Sequence, residues 1–258
     1  MVLASLESLA PLRLAEPWDN VGLLIDPLGR TEFARALVTI DWNETTLQEA
    51  IEHEVDLVLA YHPPIFASLK RLRIDVPSES SLLRSLAAGL TVYSPHTALD
   101  AAEGGMGDWL VGALGPGRSR PIVARVGEPK LGTGRFIELD VPVALDEACR
   151  RIKAHLGLTS LRLSRAPTGV EQVRTLAVCP GAGGSAFEKL TDCDLLLTGE
   201  MRHHDVLARR ALGSHVVLTD HTNSERGYLP LWAERVRAHC PGLEVVVSRR
   251  DADPLMVI

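Results

Sequence analysis

Along the chain, short and nearly continuous apolar runs alternate with stretches in which apolar residues return every three or four positions. The runs are ALVTI (36–40), VDLVLA (55–60), LTVYS (90–94), TLAVC (175–179), DLLLT (194–198) and HVVLT (215–219). Runs this short and this rich in Val, Leu and Ile predict strands buried on both faces, as in parallel sheets. Between them, Leu47, Ala50, Ile51 and Val55 recur at helical spacing behind Asn43, a residue suited to accept hydrogen bonds at a helix start. SSLLRSLAAG (80–89) and HDVLARRALG (204–213) each run to a glycine placed to end a helix. Ala148, Cys149, Ile152 and Leu156 make another apolar face, and LPLWAERVRAHC (229–240) a last one. FIELDV (136–141), EVVVS (244–248) and LMVI (255–258) predict further strands. Strand alternating with helix predicts an α/β fold with largely parallel sheets.

The pattern repeats. DLVLA (56–60) overlays DLLLT (194–198) at an offset of 138 residues, which also sets ALVTI on RTLAV (174–178). HTALD (96–100) overlays HTNSE (221–225) at a smaller offset of 125, so the second half is 13 residues shorter between its second and third strands. Each half then reads strand, helix, strand, helix, strand, closing on the phrase His-Thr-x-x-acid. This predicts an internal duplication of one α/β unit. The stretch GPGRSRPIVARVGEPKLGTGR (115–135) is rich in Gly, Pro and Arg, and its residues 116–135 are the expected junction between a first unit, 1–115, and a second, 136–258.

Composition narrows the class without naming a chemistry. With 258 residues, 46% hydrophobic and 23% charged, the chain has the means for a sizeable core. A net charge of −6, with no block of Lys or Arg, argues against a large nucleic-acid surface. No run reaches the roughly 20 apolar residues of a membrane span, and the first 20 residues lack the pattern of a secretory signal. Four scattered cysteines without a CxxC pair suit buried thiols in a reducing compartment. A cytoplasmic protein without a membrane partner is expected.

Ligands of parallel α/β sheets gather beyond the carboxyl ends of the strands. Tyr61-His62 follows the second strand run, and His96-Thr97-Ala98-Leu99-Asp100 the third. Gly199-Glu200, then His203-His204-Asp205, follow DLLLT, while His221 and Glu225 follow HVVLT. Five histidines beside acids at strand ends have the ligand chemistry of Zn, Mn, Fe or Ni. Carboxylates such as Asp100 and Glu225 are able to bridge two metals. The same residues would also serve as helix caps or loop hydrogen-bond partners. The turn CPGAGGSAF (179–187) does not fit GxGxxG, but it follows a strand and opens a helix, where it would cradle a phosphate or simply turn the chain. Glu200 stands where a ribose-binding acid would lie. Trp18, Asp19 and Asn20 predict a polar turn before a buried strand, with Trp18 free to line a cleft.

WDNVGLL, YHPPIF (61–66), SPHTALDAAEGGMGDWL (94–110), LLTGEMRHHDVL (196–207), DHTNSERGYL (220–229) and RRDADPL together resemble the NIF-three-like family, whose bacterial members are described as GTP cyclohydrolase I type 2 homologues. The resemblance spans nearly the whole chain, and YHPPIF and HTNSERG are closer to its eukaryotic branch. It implies two similar α/β units facing a shared cleft, a dinuclear metal site there, and a hexamer built from dimers. The family's ligands fall on His62, Asp100, His221 and Glu225. Many bacterial members carry two adjacent histidines where this chain has Tyr61-His62. Tyrosine, with an ordinary pKa of about 10, is a poor neutral ligand, so one or two divalent metals per chain are expected. His96 is not a usual family ligand, and its place in the repeat gives it a supporting or substitute duty.

The expected function is a metal-dependent hydrolase acting on a nucleotide or related small molecule, of the GTP cyclohydrolase type if the family name carries over. His203 and His204 are expected to transfer protons or contact substrate. The alternative is a non-enzymatic, metal-binding oligomeric scaffold or protein-interaction factor. A dinucleotide-binding oxidoreductase would rest on the Gly-rich turn alone.

Overall fold

The computed structural model describes residues 2–256, and the chain divides into two units. The first takes Met1–Leu99 and Leu229–Pro254, the second Asp100–Tyr228 and the C-terminal residues from Leu255. In chain order the strands are β1 (Gly22–Ile25), β2 (Arg35–Thr39), β3 (Leu57–Ala60), β4 (Thr91–Ser94), β5 (Gly117–Arg125), β6 (Glu128–Ala144), β7 (Arg162–Ser164), β8 (Gln172–Ala182), β9 (Leu195–Glu200), β10 (His215–Leu218) and β11 (Glu244–Val247). Every apolar run named above except the C-terminal LMVI forms a strand. Leu255 and Met256 have no regular structure, and the rest of that run lies outside the described residues.

The first sheet has the order β1-β4-β3-β2-β11, with β4, β3, β2 and β11 parallel and β1 antiparallel at the edge. The second has the order β5-β6-β8-β9-β10-β7. There β8, β9 and β10 are parallel and β7 is antiparallel to β10, so β7-β10-β9-β8 repeats the arrangement of β1-β4-β3-β2. Equivalent aspartates clasp both motifs. Asp56 accepts the N–H groups of Ala34 and Arg35 at 2.8 and 3.1 Å, and Asp194 those of Arg174 and Thr175, both at 2.8 Å. The expectation of largely parallel sheets holds in the first unit. The second sheet is mixed, because β5, β6 and β8 form an antiparallel meander.

That meander occupies the segment expected as a junction. Residues 117–144 are the hairpin β5–β6. Its glycines serve close strand approach: at Gly132, φ +144°, a Cβ would lie 2.1 Å from the Val123 carbonyl oxygen. Glycine and proline enrichment therefore read as a linker although the segment forms a paired hairpin. The C-terminal stretch belongs with the first unit instead of the second. β11 pairs with β2 in the register Glu244↔Arg35, where the two side chains form an ion pair at 2.8 Å.

Helix Glu44–Glu52 crosses from β2 to β3. Asn43 starts it, accepting from Thr45 N and Thr46 N at 2.9 and 3.2 Å, while Thr46 Oγ1 accepts from Asn43 N at 3.0 Å. Helix Pro77–Ala87 crosses from β3 to β4. Leu37, Leu47, Val58, Leu82 and Val92 form the core between this sheet and these helices. In the second unit the crossovers are Gly184–Phe187 and His203–Ala211, and helix Leu145–Leu156 buries Leu145, Ala148, Ile152 and Leu156 against Val173, Leu176 and Leu195. No disulfide joins the four cysteines, and burial pushes the Cys193 thiol up to about 12. Among the described residues no helix is long and apolar enough to cross a membrane.

Candidate metal centre

In the second unit the site grows from the ends of three parallel strands. β10 stops at Leu218, and Asp220 reverses the chain at φ +68°. His221 follows, and Thr222–Ser224 make a single 3-10 turn that returns Glu225 to the same ring. His221 Nε2 lies 3.5 Å from Glu225 Oε1, and His221 Nδ1 lies 3.5 Å from Glu200 Oε1 at the end of β9. Glu225 is only 2% exposed. A buried carboxylate costs folding free energy unless a cation or hydrogen bonds offset it. The turn is fixed from beneath: Ser224 Oγ donates to His221 O at 2.7 Å and accepts from Gly181 N at 2.8 Å.

Gly181 shows what this geometry requires. Its φ is +60°, and a Cβ there would sit 2.7 Å from Glu225 Oε1 and 2.9 Å from His221 Nε2. The Gly-rich turn therefore makes room for the His–Glu pair. Gly181 N is taken by Ser224, Gly183 N donates to Thr198 Oγ1 at 2.9 Å, and the following helix has four residues. A phosphate cradle needs such N–H groups free, so the dinucleotide reading falls. The donor set, an imidazole with buried and exposed carboxylates, fits a borderline divalent cation, and His221 and Glu225 each offer a ligand atom.

Asp100 opens the second unit, half-buried near the end of helix His96–Ala101. That helix end is held by Arg135, 1% exposed, whose guanidinium donates to the Ala101 and Ala102 carbonyls at 3.2 Å each and forms an ion pair with Asp108. His203 and His204 face solvent at the head of helix His203–Ala211, their rings 5.4 Å apart.

In the first unit, Tyr61 N and His62 N donate to Thr39 O and Ile40 O, which extends the β2–β3 ladder and fixes His62 at its end. His62 Nδ1 donates to Asp41 Oδ1 at 2.9 Å, which fixes the orientation of the ring. Tyr61 is 3% exposed, and its ring lies 5.1 Å from His62 and 5.4 Å from His96. His96, at φ +31°, donates from Nδ1 to Asp19 Oδ1 at 2.7 Å. Asp19 Oδ2 accepts from Thr97 N and Oγ1. Burial pushes the Asp19 carboxyl up, but the hydrogen bonds from His96 and Thr97 outweigh it and hold the group below the usual carboxylate range.

Sequence reading missed the roles of Asp19, Asp41 and Gly181, and placed Glu200 beside a ribose instead of His221. Asp41 carried a signal, since it ends the ALVTI run as His62 ends the next. Asp19 carried none beyond its phrase, because its partners lie 77 and 78 residues away.

The model of the Duf34/NIF3 (NGG1p interacting factor 3) family matches residues 1–254. The protein NIF3 homolog of Schizosaccharomyces pombe is 40% identical over 96% of this chain and 94% of its own length. A Bacillus cereus protein related to NIF3 superposes with a TM-score of 0.85 at 19% identity, covering 100% of this chain and 98% of that one. Reduced HcgD from Methanocaldococcus jannaschii superposes at 0.81 with 22% identity, over 95% of both chains. At these identities the structural likenesses carry the fold.

Proposed function

We propose, from the premise that the chain belongs to the Duf34/NIF3 family, that it is a metal-dependent hydrolase acting on a nucleotide or related small molecule. The pairing of His221 with the buried Glu225, which leaves no room for a Cβ at Gly181, carries the reading. In this proposal His62 and Asp100 join His221 and Glu225 as ligands, and the two units are copies of one ancestral α/β unit. His62, His221 and Glu225 each offer one ligand atom. When bound, one or two divalent transition metals would lower the pKa of a coordinated water and polarise the substrate. Asp41 fixes the His62 ring through Nδ1, Glu200 does the same for His221, and Arg135 steadies the helix that carries Asp100. His203 and His204 contact substrate from the exposed head of their helix. GTP cyclohydrolase chemistry is the family-name form of this activity. The working state is taken to be a homohexamer, for which the exposed Leu69, Leu72 and Ile74 of one loop supply apolar surface.

Metal content by mass spectrometry, wild type beside Glu225→Ala, tests the reading. Roughly two equivalents per chain, lost in the variant, support a dinuclear centre and justify a screen of nucleotide hydrolysis. One equivalent means that Tyr61 has removed the second site. No metal in either protein, after incubation with Zn, Mn or Fe, overturns it. Metal retained with no turnover of any nucleotide leaves the scaffold role.

A further inference from the structure

Trp18 and Phe66 are 60% and 56% exposed, yet the chain on which each is mounted is tied down. The residue after Trp18 is Asp19, whose side chain is fully buried and bound to His96 and Thr97. The next, Asn20, donates its side-chain amide to the carbonyl of Ile65, the residue before Phe66. Two hydrogen-bonded anchors thus present two large aromatic faces to water in one fixed arrangement. Their ring centroids lie 6.0 Å apart at 62°. Both rings also meet His96 edge to face, at 6.1 and 6.4 Å. His96 Nδ1 is committed to Asp19, so Nε2 is the polar atom left to this aromatic corner.

Burying these faces in the protein would have been favourable, and the anchoring means that a ligand need not order them. The geometry also selects the shape of what binds. Rings 6.0 Å apart and steeply inclined leave no slot for a third ring between them. A planar ligand stacks on one exposed face and meets the edge of the other, as aromatic quadrupoles prefer. We propose that Trp18, Phe66 and His96 form a subsite for a planar heteroaromatic ring, its polar edge turned to His96. This inference rests on the small-molecule reading above. It adds the part of the substrate that is recognised and the residues that recognise it.

The test uses tryptophan emission from the whole protein. Trp42 and Trp232 are 8% and 2% exposed and Trp109 packs against a core, so Trp18 is the emitter open to a ligand. Guanosine, adenosine and uridine serve as ring-bearing probes, and ribose as the probe without a base. Saturable quenching by nucleosides and none by ribose is expected. Calorimetry should show Trp18→Phe binding like wild type, and Trp18→Ala and Phe66→Ala weakened roughly 10-fold or more. Metal content should not change in these variants, and both positions are exposed enough for the fold to survive. The inference is overturned if no nucleoside binds below about 10 mM, or if the alanine variants bind as well as wild type. It is also overturned if those variants change the oligomer mass and leave nucleoside affinity alone, which would make the pair a subunit contact. Nucleoside binding that persists in a metal-free Glu225→Ala protein would separate this subsite from the fate of the metal reading.

Discussion

HTALD and HTNSE follow the last strand, β4 or β10, of the same four-strand motif, and their histidines, one in each unit, are used in opposite ways. His96 opens an α-helix and gives its Nδ1 to a carboxylate that is wholly buried. His221 opens a single 3-10 turn and stands between two carboxylates, 37% exposed. The difference lies outside the phrases. Asp19, from the segment before β1, engages His96, and the acid that closes HTALD lies along a helix. In the second unit the tighter turn returns Glu225 to the imidazole that precedes it by four residues. A repeated phrase fixes where a histidine stands, and its neighbours decide whether it supports a site or forms one.

The comparison breaks most readily at the histidines themselves. His221→Ala should abolish metal binding, while His96→Ala should keep the metal with no more than a 10- to 100-fold loss of affinity, the usual scale for a supporting residue. Equal loss in both variants, read by mass spectrometry and competitive chelation, would erase the distinction. The next effect contrasts the turns at the ends of β2 and β8. At the offset of 138 residues, Asn43 corresponds to Gly181. Gly181→Ala places a methyl between Glu225 and His221 at a positive φ, and should cost on the order of 2 kcal/mol or more together with the metal. Asn43→Ala removes a helix cap and should cost about 1 kcal/mol in denaturant unfolding, with metal content unchanged.

The smallest effect is a pH dependence confined to the first phrase. The Asp19 carboxyl titrates below its ordinary range in the folded protein. Its contribution is therefore present above the unfolded-state pKa of about 4 and fades as pH falls through the lower folded value. Asp19→Asn should lower stability at neutral pH and flatten the acid limb of a thermal-denaturation series. An unchanged acid limb would show that Asp19 does not hold His96.

Much of this was legible because apolar runs report burial directly. The six runs and the offset of DLVLA against DLLLT located both parallel cores. Strand ends brought forward five histidines with their acids, and the family resemblance narrowed these to His62, Asp100, His221 and Glu225. The edge strand β7 escaped because RLS is three residues long and two-thirds polar. The hairpin β5–β6 escaped because glycine serves a tight cross-strand approach as well as a linker. The Asp19–His96 and Asp41–His62 pairs escaped for a different reason: contacts between residues 77 and 21 positions apart leave no periodic trace in one sequence.

The return of the chain to the first unit at Leu229 has a consequence for synthesis. β2 and its neighbour β11 are separated by about 200 residues, which a ribosome adds over roughly 10 to 40 s. Through that interval the second unit can emerge as far as Tyr228 and fold, while β2 is the outer strand of an unfinished sheet. An uncovered strand edge invites pairing with other chains. Arg35, at the first position of β2, puts a charge on that edge until Glu244 arrives to meet it.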